Sequence, residues 1–200
     1  NVIRCLEEMQ KNSAKVKILS LHWGNEFIHI PSPQQKRLAH LFIDKGADVI
    51  LGHHPHVIQP VERYKNGLVF YSLGNFIFDQ TWSEKVKIGL IADIQIKSEI
   101  NKKPELAFSL YPVQINKKYI PILLEGKKKK KVLNLLERNQ YLMKTLENKA
   151  YENCYKRKYV INHAIERALM KWDVLKRWPG LSKHSKKQFI SNIFSKFNAE

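Results

Sequence analysis

Apolar positions near the start of the chain recur at Val2, Ile3, Leu6 and Met9, the three-and-four spacing of one helix side, and predict a helix over residues 1–13. Residues 15–21 (KVKILSL) become wholly apolar toward their end and predict a strand. A polar loop follows over residues 22–32. Ser32 and Gln35 form a capping-box pattern with Pro33 at the first helical position. The helix they begin runs to about residue 45, turns Leu38, Leu41 and Phe42 inward, and stops at Gly46. Residues 48–51 (DVIL) read as a short, nearly all-apolar strand.

This is a β–α–β unit. Its connection is long enough to cross one face of a sheet, so the two strands are expected to run parallel. Residues 57–64 and 68–71 flank Asn66-Gly67, a hairpin-turn signal. Residues 85–97 and 105–115 alternate as an antiparallel pair, and residues 118–124 add an extended stretch. After Gly126 the period becomes helical. Val132, Leu135, Leu136, Asn139, Leu142, Met143 and Leu146 mark one side of a long helix. A second helix is expected over residues 158–177, with Ile161, Ile165, Ala168, Leu169, Trp172 and Leu175 facing inward, ended by Pro179-Gly180. A third is expected over residues 185–197. The chain therefore divides into an α/β part, residues 1–124, and a helical extension, residues 125–200.

Parallel strands deliver their following residues to one rim, where open α/β sheets place ligands. His22 follows the first strand. His53, His54 and His56 follow the second, and Asn75 follows the strand LVFY. Neutral imidazole suits first-row metals. Pro55 favours an extended shape, in which His54 and His56 would point the same way. His22, His54 and His56 are the candidate metal ligands; the alternative for each is an ordinary polar loop residue. His53 points either to the opposite side of the chain or toward an anionic substrate, and with Glu26 it is a candidate catalytic residue. Glu26 lies four residues beyond His22, where it either orients a ligand imidazole, touches substrate or is solvated. Trp23 either walls the pocket or packs as an ordinary aromatic. Asn75 either reaches the pocket or orients its own loop. Both are candidate substrate contacts.

Composition adds further constraints. An apolar fraction of 44% with 26% charged residues is that of a folded globular chain. The formal charge of +17 is uneven: residues 123–200 hold 19 basic and 7 acidic groups. That tail favours anionic partners: a membrane surface, an acidic polymer or the acidic surface of an envelope protein. Nucleic acid is disfavoured, because there is no zinc finger, RNA-recognition signature or basic–aromatic reading surface. Lys127 to Lys131 sit awkwardly at a helix start, which prefers negative charge. Cys5 and Cys154 have no metal-type spacing. No run approaches the roughly 20 apolar residues that cross a bilayer. The chain opens on Asn1 inside a helical pattern, so an excerpt beginning within a domain is expected.

Three stretches resemble the bacterial capsule-synthesis CapA family, the poly-gamma-glutamate biosynthesis proteins of the calcineurin-like metallophosphatase group. They are LHWGNEF at 21–27, PSPQQKRLAHLFIDKGADVILGHHPHVIQPVERY at 31–64, and GLVFYSLGNFIFD at 67–79. The resemblance implies the C-terminal portion of a four-layer αββα domain. It matches His22 to a mid-domain metal motif, His54 and His56 to the final one, and Glu26 and Asn75 to positions near the pocket. It implies a divalent cofactor of one or two ions (Mn, Zn or Fe), with the aspartate-bearing motifs in a missing front half. It also implies work on an acidic polymer or a phosphorylated small molecule in the bacterial cell envelope, outside the cytoplasm, with a membrane anchor in the missing N-terminal part. Two functions follow as expectations: a metal-dependent hydrolase of phosphatase type, or a non-catalytic or transfer component that binds an acidic polymer.

Overall fold

The computed structural model describes residues 2–79, 82–97, 104–180 and 182–187. In chain order the elements begin with α1 (Val2–Lys11), β1 (Ile18–His22), α2 (Pro33–Asp44), β2 (Val49–His53), β3 (Val61–Tyr64) and β4 (Gly67–Phe70). They continue with β5 (Ile88–Lys97), β6 (Glu105–Ile115), β7 (Pro121–Leu123), α3 (Gly126–Thr145) and α4 (Asn148–Arg177). One sheet has the order β1-β2-β4-β3 and the other β5-β6-β7. The first is parallel from β1 through β4, with β3 antiparallel at its edge.

The first sheet is apolar on both faces, and its period of two sorts the residues. Ile50, Val69 and Tyr71 join Leu19 in a core with α1, α2 and α4. Val49, Leu68 and Phe70 point the other way and meet Leu106, Ile94 and Leu110 of the second sheet. Val132 and Leu136 of α3 cover Leu90 and Leu124. The result is a mixed α/β domain with two sheets flanked by helices, followed by a helical extension.

Local signals decide where the elements begin. Ser32 Oγ accepts from the Gln35 backbone amide at 3.0 Å, and the Gln35 side chain accepts from the Ser32 amide at 2.9 Å. This reciprocal cap is worth about 1 kcal/mol. It sets the start of α2, and hence the length of the loop leading back to His22.

Two expectations need correction. The second tail helix starts at Asn148, ten residues earlier than its apolar spacing indicates. Residues 148–157 are polar in composition, yet they bury Tyr151 and Tyr155, whose hydroxyls are satisfied. Tyr151 donates to Pro31 O at 2.6 Å, and Asn25 Nδ2 donates to the Tyr155 hydroxyl at 2.7 Å. The face expected to point inward is turned out, with Ile161, Ile165, Ala168, Leu169, Trp172 and Leu175 all exposed. Helical periodicity identifies an apolar face without determining whether another element covers it. The third helix expected over residues 185–197 lies mostly outside the described residues.

Candidate functional site

The parallel pairing of β1 and β2 sets His22 directly beside His53. The chain beyond β2 then turns back over the same rim. The ring centroids of His22 and His54 are 4.5 Å apart, and those of His54 and His56 are 5.7 Å apart. All three imidazoles therefore gather at one end of the sheet.

The reason differs from the one inferred for the loop. His54 and His56 are not alternate residues of an extended segment: both have positive φ, 96° and 56°. This left-handed backbone costs a non-glycine residue roughly 1 kcal/mol or more and persists only where surrounding contacts over-determine it. Those contacts are visible. Phe27 N donates to Pro55 O at 2.8 Å, and Trp23 N donates to His53 O at 3.1 Å, so the loop after β1 holds the loop after β2. Phe27, itself at φ 64°, is buried and lies face-on to His56 at 6.2 Å.

Asn75 is buried and defines the state of His56. Its Nδ2 donates to Val86 O at 2.8 Å, which turns Oδ1 toward His56 Nδ1, 3.0 Å away. Since that oxygen only accepts, the proton resides on Nδ1 and the lone pair on Nε2. His56 Nε2 then lies 4.0 Å from Glu26 Oε1. This is too long for a hydrogen bond. The two atoms face one another without bonding.

Burial lowers the pKa of His53, with a smaller contribution from His22. Burial also lowers that of His54, as do His22 and His56, while Glu26 acts in the opposite direction. The neutral rings keep their lone pairs available at neutral pH.

The remaining candidates sort differently. Trp23 donates its indole N–H to Tyr71 O at 3.0 Å and stacks on Tyr71, so its polar atom is committed to the fold. Its outer edge lines a 570 Å³ cleft shared with Asn25, Gln35, Arg37, Tyr155 and Lys156. Cys5 and Cys154 are both free thiols.

The residue types near the rim, three imidazoles and one carboxylate, are those that bind borderline divalent cations. Among the described residues, no group of three or more His, Cys, Asp or Glu side chains is placed to hold a metal ion.

Several residues around the site carried no sequence signal of their own. Trp82 meets Phe27 edge-on at 6.1 Å, and Phe78 lies 5.2 Å from His56. From α4, His163 reaches Phe27 at 6.1 Å. Glu166, fully buried, pairs with Lys85 at 3.3 Å. The tail is thus fastened against the site-bearing loops. Nothing in a helical repeat distinguishes these contacts from solvent-facing polar residues.

His29 is a separate, structural histidine. It donates from Nδ1 to Ile58 O at 3.1 Å, and burial pushes its pKa down to about 4. Its ordinary value is 6.5, so between pH 6.5 and 4 the unfolded chain holds the extra proton and folding stability falls as the solution is acidified. The expected loss is at most about 3 kcal/mol across that window. Urea unfolding as a function of pH measures it, and His29→Gln is expected to flatten this part of the profile. An equal slope in the variant would assign the acid sensitivity elsewhere.

Residues 1–80 match the family model described as bacterial capsule synthesis protein PGA_cap. A capsule biosynthesis protein CapA of Bacillus anthracis is 46% identical over 85 residues, covering 42% of this chain and 21% of that protein. A PGA biosynthesis protein CapA of Bacillus subtilis is 34% identical over 130 residues, 64% of this chain and 33% of the relative. A probable polyglutamine synthesis accessory protein of Mycobacterium tuberculosis is 32% identical over 69 residues, 34% of this chain and 18% of its own length. The chain thus spans a third or less of the length of these curated relatives. The matched stretch contains β1, β2 and every histidine of the rim, and over residues 1–80 the chain is similar to the PGA_cap capsule-synthesis family.

Proposed function

We propose that the rim at the ends of β1 and β2 is a divalent-cation site of a protein acting in capsule or cell-envelope polymer synthesis, on an acidic, poly-γ-glutamate-like chain. The observation that carries this reading is the convergence of His22, His54 and His56, with the His56 lone pair set by Asn75 and facing Glu26 across 4.0 Å. His22, His54 and His56 would hold the ion, with further ligands from outside the described residues. The ion would supply Lewis acidity toward a phosphoryl or carbonyl oxygen, the chemistry of a metal-dependent hydrolase of the metallophosphatase kind. Glu26 and His53 stand at the same rim to accept or return a proton. Phe27, Phe78 and Trp82 restrict water on the His56 side. The protein would work in the bacterial cell envelope, outside the cytoplasm.

Asn75 offers the test, because it touches His56 without being a candidate ligand. Asn75→Ala is expected to weaken Mn²⁺ or Zn²⁺ binding by about 10- to 100-fold, the usual cost of losing a partner that orients a ligand imidazole. Calorimetric titration of the full-length protein measures this, with circular dichroism confirming the fold. Unchanged affinity in a folded variant would remove the cation-site reading.

A second reading, a non-catalytic or transfer component that binds the polymer, is favoured by the cleft beside Trp23. Arg37 and Lys156 line it from α2 and α4, and both are cations suited to carboxylates. Chelation separates the two readings: hydrolysis is lost with the metal, whereas polymer binding through Arg37 and Lys156 persists.

A further inference from the structure

The second half of α4 has an apolar face that nothing in the described structure covers. Ile161, Ile165, Leu169, Trp172 and Leu175 are 45%, 45%, 38%, 59% and 54% exposed. At 100° per residue these five fall within about a third of the helix circumference. No residue of α4 beyond Glu166 is buried. The face that packs against the domain, marked by Tyr151, Tyr155 and Glu166, lies to one side of this stripe.

The charged residues that fall within this arc are all cations. Arg157, Lys158 and Lys176 lie within the arc, and Lys171 lies about 40° beyond its Leu175 edge. Of the acidic residues of α4, Glu152 faces away from the stripe, Glu166 is buried against Lys85, and Asp173, about 40° beyond the Leu169 edge, pairs with Arg177 at 3.0 Å. Lys176 Nζ stands 5.6 Å over the Trp172 ring. The flexible lysine stems can lie along the apolar stripe while their ammonium groups reach past it.

We infer that the outer face of α4 lies on an anionic lipid surface, with Ile161, Ile165, Leu169, Trp172 and Leu175 entering the headgroup boundary and these cations meeting lipid phosphates. An apolar stripe interspersed with cations, with an indole at its centre, is the pattern of a helix lying in the interface plane. A second copy of the chain is a poor occupant, because pairing two such faces brings Arg157, Lys158 and Lys176 of both copies together within the stripe. Spanning is excluded for this helix by its composition: among the described residues no helix is long and apolar enough to cross a membrane. Since α4 also carries Tyr155, His163 and Glu166, lipid docking would hold the histidine rim at a set distance from the membrane.

The test is co-sedimentation of the 200-residue chain with vesicles of phosphatidylcholine containing about 30 mol % phosphatidylglycerol, and with phosphatidylcholine alone. Binding is expected to the anionic vesicles only, and to weaken when salt is raised from about 0.1 M to 1 M. Leu169→Asp/Trp172→Asp and, separately, Lys171→Glu/Lys176→Glu are each expected to lower vesicle affinity by about tenfold or more with the fold intact. All four side chains are exposed, so neither change disturbs the core. Three results would overturn the inference: no binding to anionic vesicles at low salt, unchanged binding by Leu169→Asp/Trp172→Asp, or a vesicle-free dimer that this variant dissociates. The last would assign the face to self-association. An acidic protein captured through the same stripe while vesicles stay unbound falls under the first.

Discussion

His54→Ala/His56→Ala is expected to lower divalent-cation affinity at least 100-fold and to abolish any metal-dependent hydrolysis, while leaving the protein folded. Loss of a partner that only orients a ligand imidazole typically costs about 10- to 100-fold, so removing two candidate ligands sets a floor of about 100-fold. The fold should survive, because both rings are only partly buried at the tip of a loop rather than within either sheet core. A small fall in stability is expected in the apo protein, because loss of His56 leaves the buried Asn75 Oδ1 without its hydrogen-bond partner. The measurements are calorimetric titration with Mn²⁺ and Zn²⁺, metal content after purification, and urea unfolding, all on the full-length protein. Wild-type affinity in the double variant would show that these imidazoles bind no ion, leaving the polymer-binding reading in possession of the site.

Gly52→Ala is expected to cost about 3 kcal/mol of folding stability, the upper range for overpacking a rigid site. A β-carbon at Gly52 would overlap Tyr71 O, a backbone atom that cannot rotate away, and would meet Trp23 Nε1 at 2.5 Å. The same two atoms form the Trp23–Tyr71 hydrogen bond. A methyl group there therefore pushes apart the β1 loop, the end of β2 and the chain leaving β4 together. These three segments carry His22, His53 to His56, and Asn75. Stability and cation affinity should accordingly fall in one variant, with the urea midpoint reduced and its slope unchanged. A variant as stable as the wild type would mean that the strand ends have slack, and that the rim geometry is less tightly held than its packing indicates. Gly89 is a comparable close approach, since a β-carbon there would strike Asn75 O. Both glycines let backbone segments meet at the rim where a side chain would keep them apart.

Much of this arrangement was legible before any coordinates. The capping box at Ser32 and Gln35 is a local motif read directly from residue identity, and both its hydrogen bonds form. The parallel order of β1 and β2 followed from the length of the helical crossover, and with it the placement of His22 beside His53. The long antiparallel pair β5–β6 followed from alternation. The loop between His53 and Val57 was legible in content but not in shape. Proline argued for an extended path, whereas hydrogen bonds from residues 23 and 27 bend it into left-handed turns. Trp23 was readable as an aromatic near the rim, and its hydrogen bond to Tyr71 came from strand packing 48 residues away.

What the chain determines by itself is local and periodic. It sets which segments are strands and helices, which two strands run parallel, and therefore which end of the sheet collects histidine. These follow from short-range sterics, capping and the burial of alternating apolar residues, all functions of near neighbours in sequence. Tertiary structure alone decided that Asn75 assigns the proton of His56, that Tyr151 and Tyr155 extend α4 by ten residues, and that the most apolar stripe of α4 stays outside. Each depends on which distant atom fills a particular space, and hydrophobic periodicity carries no information about that neighbour.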